Sequence, residues 1–163
     1  MTGEALRALM RSFPTGVVAV TALAADGPVG LLVGSFFSVS LCPAQVGFCV
    51  GVDSTSWPLV RASDRFAVSL LAAGQERVGV ALARPGSGKF DGVAWHEADA
   101  GVPVIDGALA YLECACAAEH RAGDHWIVVA DVRRTRVLRR ADPLVYYRRG
   151  FATVGGPEPE SAS

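Results

Sequence analysis

The stretch RAGDHWIVVADVRR, residues 121–134, decides how this chain is read. Ile127, Val128, Val129, Ala130 and Val132 form the apolar, β-branched run that a half-buried or buried strand needs. Gly123, Asp124 and His125 stand at its entrance, where a turn must deliver the chain into the strand. One of only three histidines therefore sits beside an aspartate at a strand mouth. Taken alone this is an ordinary turn histidine. An imidazole titrating near neutrality is also suited to holding a cofactor or moving a proton.

Outward from this stretch the same patterning repeats. GALAYLECACAAEH (107–120) reads as a long strand running into the Gly-Asp-His turn, and HWIVVADVRRTRVL (125–138) as the strand leaving it. VVAVTALA (17–24), ADGP and VGLLV (29–33) read as a strand, a turn and a strand, the signature of a hairpin. QVGFCVGV (45–52), RFAVSLLA (65–72) and PLVYYRRGFATV (143–154) add further strands, and VAW (93–95) a short one. Helices are expected over 3–13, where Leu6, Leu9, Met10 and Phe13 share a side, after the hydroxyl run at 54–56, and over 74–83. GSFFSVSLCP (34–43) is apolar, aromatic and serine-rich with no clean period. Strands separated by turns, with a few short helices inserted, predict a mainly β, antiparallel, Greek-key-like barrel rather than a doubly wound parallel sheet.

The chain has 163 residues, 51% of them hydrophobic and 19% charged, enough for one domain with a sizeable core. That domain is expected over 1–154, followed by a disordered tail, GGPEPESAS, over 155–163. A net charge of −1 gives no electrostatic case for nucleic acid. The apolar runs are broken by Gly, Pro or charge, so no membrane span is expected. MTGEALRALMRSF lacks the apolar core of a signal peptide, which makes the cytoplasm the expected location.

Several motifs invite chemistry. PGSGKF fails as a phosphate loop, because Phe90 follows Lys89 where Ser or Thr is required and Ala83 stands where the first glycine belongs. Lys89, the only lysine, then reads as a solvated loop residue or as one poised over a ligand. No strand is followed by Gly-x-Gly-x-x-Gly, so a dinucleotide would not lie in a Rossmann crevice. Cys42, Cys49, Cys114 and Cys116 have no zinc-site spacing, and no metal is expected. In DSTSWP, the hydroxyls of Ser54, Thr55 and Ser56 precede a helix start, which makes either a capped helix or an anion pocket. Seven of the fifteen Lys and Arg lie within 133–149, a pattern that suits a charged edge strand or a site for a phosphorylated ligand.

Taken in order, FPTGVVAVTA (13–22), GSFFSVSLCPAQVGFCV (34–50), FAVSLL (66–71), KFDGVAW (89–95), GVPVIDGALAYLEC (101–114), GDHWIVVADV (123–132) and PLVYYRRGF (143–151) resemble the short-chain NAD(P)H:flavin oxidoreductases, the reductase components of two-component monooxygenases. The resemblance covers about residues 5–154. It implies an FMN-binding split β-barrel, a homodimer, and transfer of hydride from NADH or NADPH to FMN or FAD for a partner flavin-dependent monooxygenase. It implies that Gly34, Ser35, Phe36, Phe37, Ser38, Val39 and Ser40 wrap the isoalloxazine, that Ser54, Thr55 and Ser56 grip the flavin phosphate, and that His125 lies beside the nicotinamide. Lys89 and Phe90 of the KFDG motif and Tyr147 of LVYY join the expected cofactor set. Leu32, Gly34, Cys42 and Ala130 stand where members often carry Thr, Ser, Asp and Gly. Two other functions are compatible with the same residues: a flavin carrier or sensor without turnover, and an enzyme with tightly held FMN acting on an organic substrate.

Overall fold

The computed structural model describes residues 2–154; the tail expected over 155–163 lies outside them. The described chain begins with a short helix, α1 (Gly3–Met10), and a two-residue strand, β1 (Thr15–Gly16). The hairpin β2 (Val18–Ala24) and β3 (Gly27–Val33) follows, then β4 (Phe37–Leu41) and β5 (Ala44–Gly51). The one-turn helix α2 (Trp57–Arg61) leads to β6 (Phe66–Leu70), and α3 (Glu76–Ala83) leads to the small hairpin β7 (Trp95–Glu97) and β8 (Pro103–Ile105). The long strands β9 (Ala110–Ala122) and β10 (His125–Val137) and a last hairpin, β11 (Leu144–Tyr147) and β12 (Gly150–Thr153), complete it.

Seven strands form one sheet in the order β3-β2-β6-β9-β10-β5-β4, and every recorded pairing in it is antiparallel. One face of the sheet contributes Val18, Val20 and Ala22 of β2, Leu31 and Val33 of β3, Phe66 and Val68 of β6, Cys114 of β9, Val128 and Ala130 of β10, and Val46, Phe48 and Val50 of β5. All of these meet in a single core, so the sheet curls around its own inner face. The curl brings β3 and β5 close without a ladder between them, which leaves a seam. Phe48, Trp57 and Phe66 pack edge to face with ring centroids 5.3–6.2 Å apart and seat α2 against the core. Trp57 Nε1 donates to Glu119 Oε1 at 2.7 Å, and Arg61 pairs with the same carboxylate, so α2 is tied to β9.

A second core outside the first joins Val17, Ala19, Leu71, Leu82, Ile105 and Leu144 to Phe90, Trp95 and Phe151. It fastens α3 and a small sheet of order β1-β11-β12 to the β2–β3 hairpin. The β7–β8 hairpin covers β6 and β9 through Val102 and Val104 against Ala67 and Tyr111.

The mainly β, antiparallel architecture agrees with the expectation. Several elements differ in detail. The segment 34–43 contains an edge strand, β4, that alternation could not reveal because most of its residues are exposed on both faces. The run 143–154 is two strands joined by a turn at Arg148 and Arg149. Both arginines have positive φ, 48° and 67°, in a turn that usually takes Asn or Gly, so the sequence carries no turn signal there. The helix expected over 3–13 stops at Met10 and has no buried residue. Strands β1 and β8, two and three residues long, were too short for any pattern.

Candidate active site

The chain's Gly-Asp-His turn closes the β9–β10 hairpin beside the end of β5, because His125 lies opposite Gly51 and Val52 N–H donates to the Asp124 carbonyl at 3.0 Å. A cleft of about 410 Å³ opens here, within the range typical of small-molecule sites. Its walls include Leu31 and Leu32 of β3, Cys49 and Val50 of β5, the loop Asp53–Ser56, Leu82 and Arg84 near the end of α3, Lys89, and His125. Residues from five separated stretches are thus brought to one mouth of the curled sheet. Ser54, Thr55, Ser56, Lys89 and His125, all expected from sequence, line it together.

Lys89 is half-buried and is not a solvated loop lysine. Its Nζ donates to Ser56 Oγ at 2.8 Å and to the carbonyls of Gly30 and Leu82, both at 3.3 Å. Three donors therefore meet three neutral acceptors, and no carboxylate pairs with the ammonium among the described residues. Burial pushes its pKa below 10.5. An uncompensated positive charge beside hydroxyls favours an anionic ligand, and the phosphate of a flavin fits that chemistry. The hydroxyls have distinct tasks. Ser54 Oγ accepts from Trp57 N–H at 3.1 Å and caps α2, whereas Ser56, buried at 7% exposure, has no cap bond and receives Lys89. The helix expected behind them is only one turn long, so the charge comes from Lys89 rather than from a helix dipole.

His125 Nδ1 lies 2.8 Å from Asp124 Oδ1. This hydrogen bond and the imidazole charge hold the Asp124 carboxyl below its ordinary range, with a smaller contribution from Arg7. With Nδ1 engaged, Nε2 of the half-exposed ring is left to meet a ligand.

The serine-rich segment sits at the rim. Ser35 Oγ accepts from Cys49 N–H at 2.8 Å and donates to the Cys49 carbonyl at 3.2 Å. Its hydroxyl thus bridges the seam at the strand that carries the cleft wall. Phe36 packs against the main core, and Phe37 lies over Gly47, where a Cβ would come within 2.6 Å of the ring. Ser38, Val39 and Ser40 continue along edge strand β4, and Gly34 abuts Thr15, whose Oγ1 would stand 3.0 Å from an added Cβ. Phe90 packs edge to face with Trp95 in the second core, its ring centroid 6.4 Å away, and also lines a neighbouring cleft. Tyr147 lines a separate cleft between α1 and the β11–β12 turn. None of these nine residues lines the Lys89–His125 cleft itself. Sequence reading missed Leu31, Leu32, Cys49, Val50, Asp53, Leu82 and Arg84 as wall residues. Only for Cys49 was there a signal, since alternation in β5 puts it on the face opposite Phe48 and Val50.

The chain matches the model of the "Flavin reductase like domain" family over residues 10–155. It is 41% identical over 148 residues to the FMN reductase (NADH) of Agrobacterium fabrum, covering 91% of this chain and 84% of that protein. It is 35% identical over 159 residues to the reductase subunit of a flavin-dependent monooxygenase of Mycobacterium tuberculosis, covering 96% of this chain and 83% of that protein. Its structure is similar to that of the NADH:FAD oxidoreductase of Streptomyces globisporus in complex with NAD and FAD fragments, with a TM-score of 0.85 and 35% identity over 95% of this chain and 93% of that one. A family match across nearly the whole length, together with relatives well above 30% identity, makes the assignment plain: the chain belongs to the flavin reductase like domain family.

Proposed function

We propose that this protein is an NAD(P)H-dependent flavin reductase that passes hydride from reduced nicotinamide to FMN or FAD and supplies reduced flavin to a flavin-dependent monooxygenase. The observation that carries the reading is the meeting, in one cleft, of an ammonium with no acidic partner among the described residues and a histidine oriented by an aspartate. The names of the relatives supply the class of reaction and of partner. The flavin, when bound, supplies a two-electron acceptor for the hydride, so the chain needs no nucleophile or metal of its own. Its residues bind and orient. Lys89, Thr55 and Ser56 hold the phosphate, with the Ser54 hydroxyl proton also available to it. The main chain of Gly34–Ser40 borders the ring, while Ser35 fixes the strands beneath. His125, steadied by Asp124, positions the nicotinamide through Nε2.

A homodimer agrees with the exposed apolar edge, where Phe37 and Val39 are each 43% exposed and Leu41 91%. No helix among the described residues is long and apolar enough to cross a membrane, and we place the protein in the cytoplasm. Anaerobic mixing of the purified protein with NADH or NADPH and each free flavin tests the function. Flavin bleaching at a rate far above the uncatalysed one is expected. Flavin binding without pyridine nucleotide oxidation would refute turnover, and protein that stays yellow after dialysis and needs no added flavin would refute flavin release.

A further inference from the structure

Strand β10 outruns one of its neighbours. Its ladder with β5 ends at Asp131, opposite Gln45, whereas its ladder with β9 continues to Val137, opposite Ala110. From Val132 to Val137, one side of β10 therefore has no strand beside it among the described residues. At roughly 3.3 Å per residue this is about 20 Å of edge, with its outward N–H and C=O groups unpaired. Every residue from 133 to 140 is exposed. Arginine fills this stretch, at Arg133, Arg134, Arg136, Arg139 and Arg140. Two of these are already engaged. A bulge turns Arg133 back to Asp131 at 3.2 Å, and Arg134 meets Asp99 at 2.6 Å and the buried Glu113 at 4.0 Å. Arg136, Arg139 and Arg140 have no carboxylate within 4.0 Å among the described residues. Val137 adds an aliphatic side chain that is 76% exposed.

Charge on an edge strand acts in two directions. Pairing this edge with the same edge of a second copy would set arginine beside arginine, so repulsion keeps the two apart. The same charges favour a strand that brings carboxylates, which is how one set of residues rejects one partner and selects another. The pattern is also specific in spacing. Arg134 and Arg136 share one face of β10, and Thr135 and Val137 the other. A strand alternating acidic and apolar residues meets both faces at once. The chain as a whole has a net charge of −1, so the basic stripe is local to this edge and not a property of the entire surface.

We infer that the free edge of β10 over Val132–Val137 takes an added strand from a partner protein, an extended segment that alternates acidic and apolar residues. Main-chain hydrogen bonds hold the segment to the sheet, and its carboxylates meet Arg136, Arg139 and Arg140. The identity of the partner rests on the flavin reductase reading, under which it is the monooxygenase that receives reduced flavin; the edge and its charge do not depend on that reading. His125 and Val137 lie at opposite ends of the 13-residue strand, so a partner docked on this edge leaves the mouth of the Lys89–His125 cleft open.

The test titrates the full chain, loaded with FMN, with a short capped peptide alternating Glu and Val. Two controls accompany it: the same peptide N-methylated at alternate residues, in both registers, and a Lys-Val counterpart. Arg136→Glu with Arg139→Glu is the variant; both side chains are exposed, so the fold should be kept. The Glu-Val peptide should bind the parent, weaken as salt is raised, and slow amide exchange within Arg133–Val137. Its affinity should fall about tenfold in the variant, while the Lys-Val peptide should prefer the variant to the parent. The methylated peptide keeps its charge but loses ladder donors, and should bind about tenfold more weakly than its parent peptide. No binding of the Glu-Val peptide, equal binding of the methylated one, or slowed exchange elsewhere than this edge overturns the proposal. So do edge amides that are already slow in the free protein and become fast on dilution to monomer, since a second copy then covers the edge. Anaerobic bleaching of FMN by NADH is read in parallel and should be the same in parent and variant. A protein that binds the peptide but reduces no flavin keeps the added strand and loses the monooxygenase as its source.

Discussion

Lys89→Met is the perturbation that bears most directly on the active site. Methionine keeps much of the length and apolar surface of the stem and removes the ammonium that joins Ser56 Oγ, the Gly30 carbonyl and the Leu82 carbonyl. A hydrogen bond from a charged donor to a phosphate contributes roughly 1.5–3 kcal/mol. The ammonium is only half-buried, so the lower part of that range applies, and FMN should bind about ten to thirty times more weakly. Riboflavin, which has no phosphate, should bind with nearly unchanged affinity. Fluorescence titration of both ligands reads the difference. Raising salt should narrow the parent–variant gap for FMN, because the Debye length falls from about 30 Å at 0.01 M to about 3 Å at 1 M. The pH dependence has a definite sign. Burial lowers the Lys89 pKa from 10.5, so FMN affinity should fall with rising pH before 10.5, a step absent from the variant. In the unliganded protein the charged form is less favoured folded than unfolded. Its unfavourable contribution should therefore be present below the lowered pKa and disappear as pH rises towards 10.5, opposite in direction to the loss of FMN affinity. If Lys89→Met weakens FMN and riboflavin equally, the ammonium is a tie between β3, α3 and the Ser56 loop, and its role as the phosphate's charge partner is refuted.

His125→Ala should leave FMN affinity unchanged and lower kcat/KM for NAD(P)H by about tenfold to a hundredfold, at about 1.4 kcal/mol per decade; anaerobic stopped-flow reduction at the parent rate would count against it. Ser35→Ala removes both bonds to Cys49 and should cost about 1–3 kcal/mol of stability in denaturant titration, with faster hydrogen exchange at the Cys49 amide. Leu41→Lys, at a side chain 91% exposed, should leave thermal stability intact and shift sedimentation to the monomer; an unchanged dimer would move the interface off the β4 edge.

Much of the fold was legible because burial leaves a pattern: β5, β9 and β10 carry stretches of alternation, while β2 and β6, buried on both faces, read as unbroken apolar runs. β4 was not legible, since an edge strand exposed on both sides obeys no such constraint. The β11–β12 turn was hidden because arginine occupies positions where glycine or asparagine would have announced it. In the site, local sequence placed the hydroxyls before α2 and the histidine at a strand mouth. It could not bring Lys89 to Ser56, because only the packing of α3 and the following loop against β3 joins residues so far apart along the chain. The chemical roles came from the order of seven motifs rather than from any one of them.

The seam between β3 and β5 bears on how a reductase of this kind turns over. A closed barrel would surround its ligand with continuous ladders, and each exit would require breaking several backbone pairs together. Here, among the described residues, two side chains span the seam: Ser35, holding one residue of β5, and Lys89, joining Gly30 of β3 to Ser56 beyond β5. Releasing the Ser35 hydroxyl alone gives up two hydrogen bonds, together about 1–3 kcal/mol, a cost that thermal fluctuation meets in roughly one molecule in six to one in a hundred and sixty. With flavin at the proposed site, an enzyme whose product must diffuse to another protein would benefit from a stiff floor and a loose rim, and side-chain ties across a seam can be tuned while the inner core stays packed.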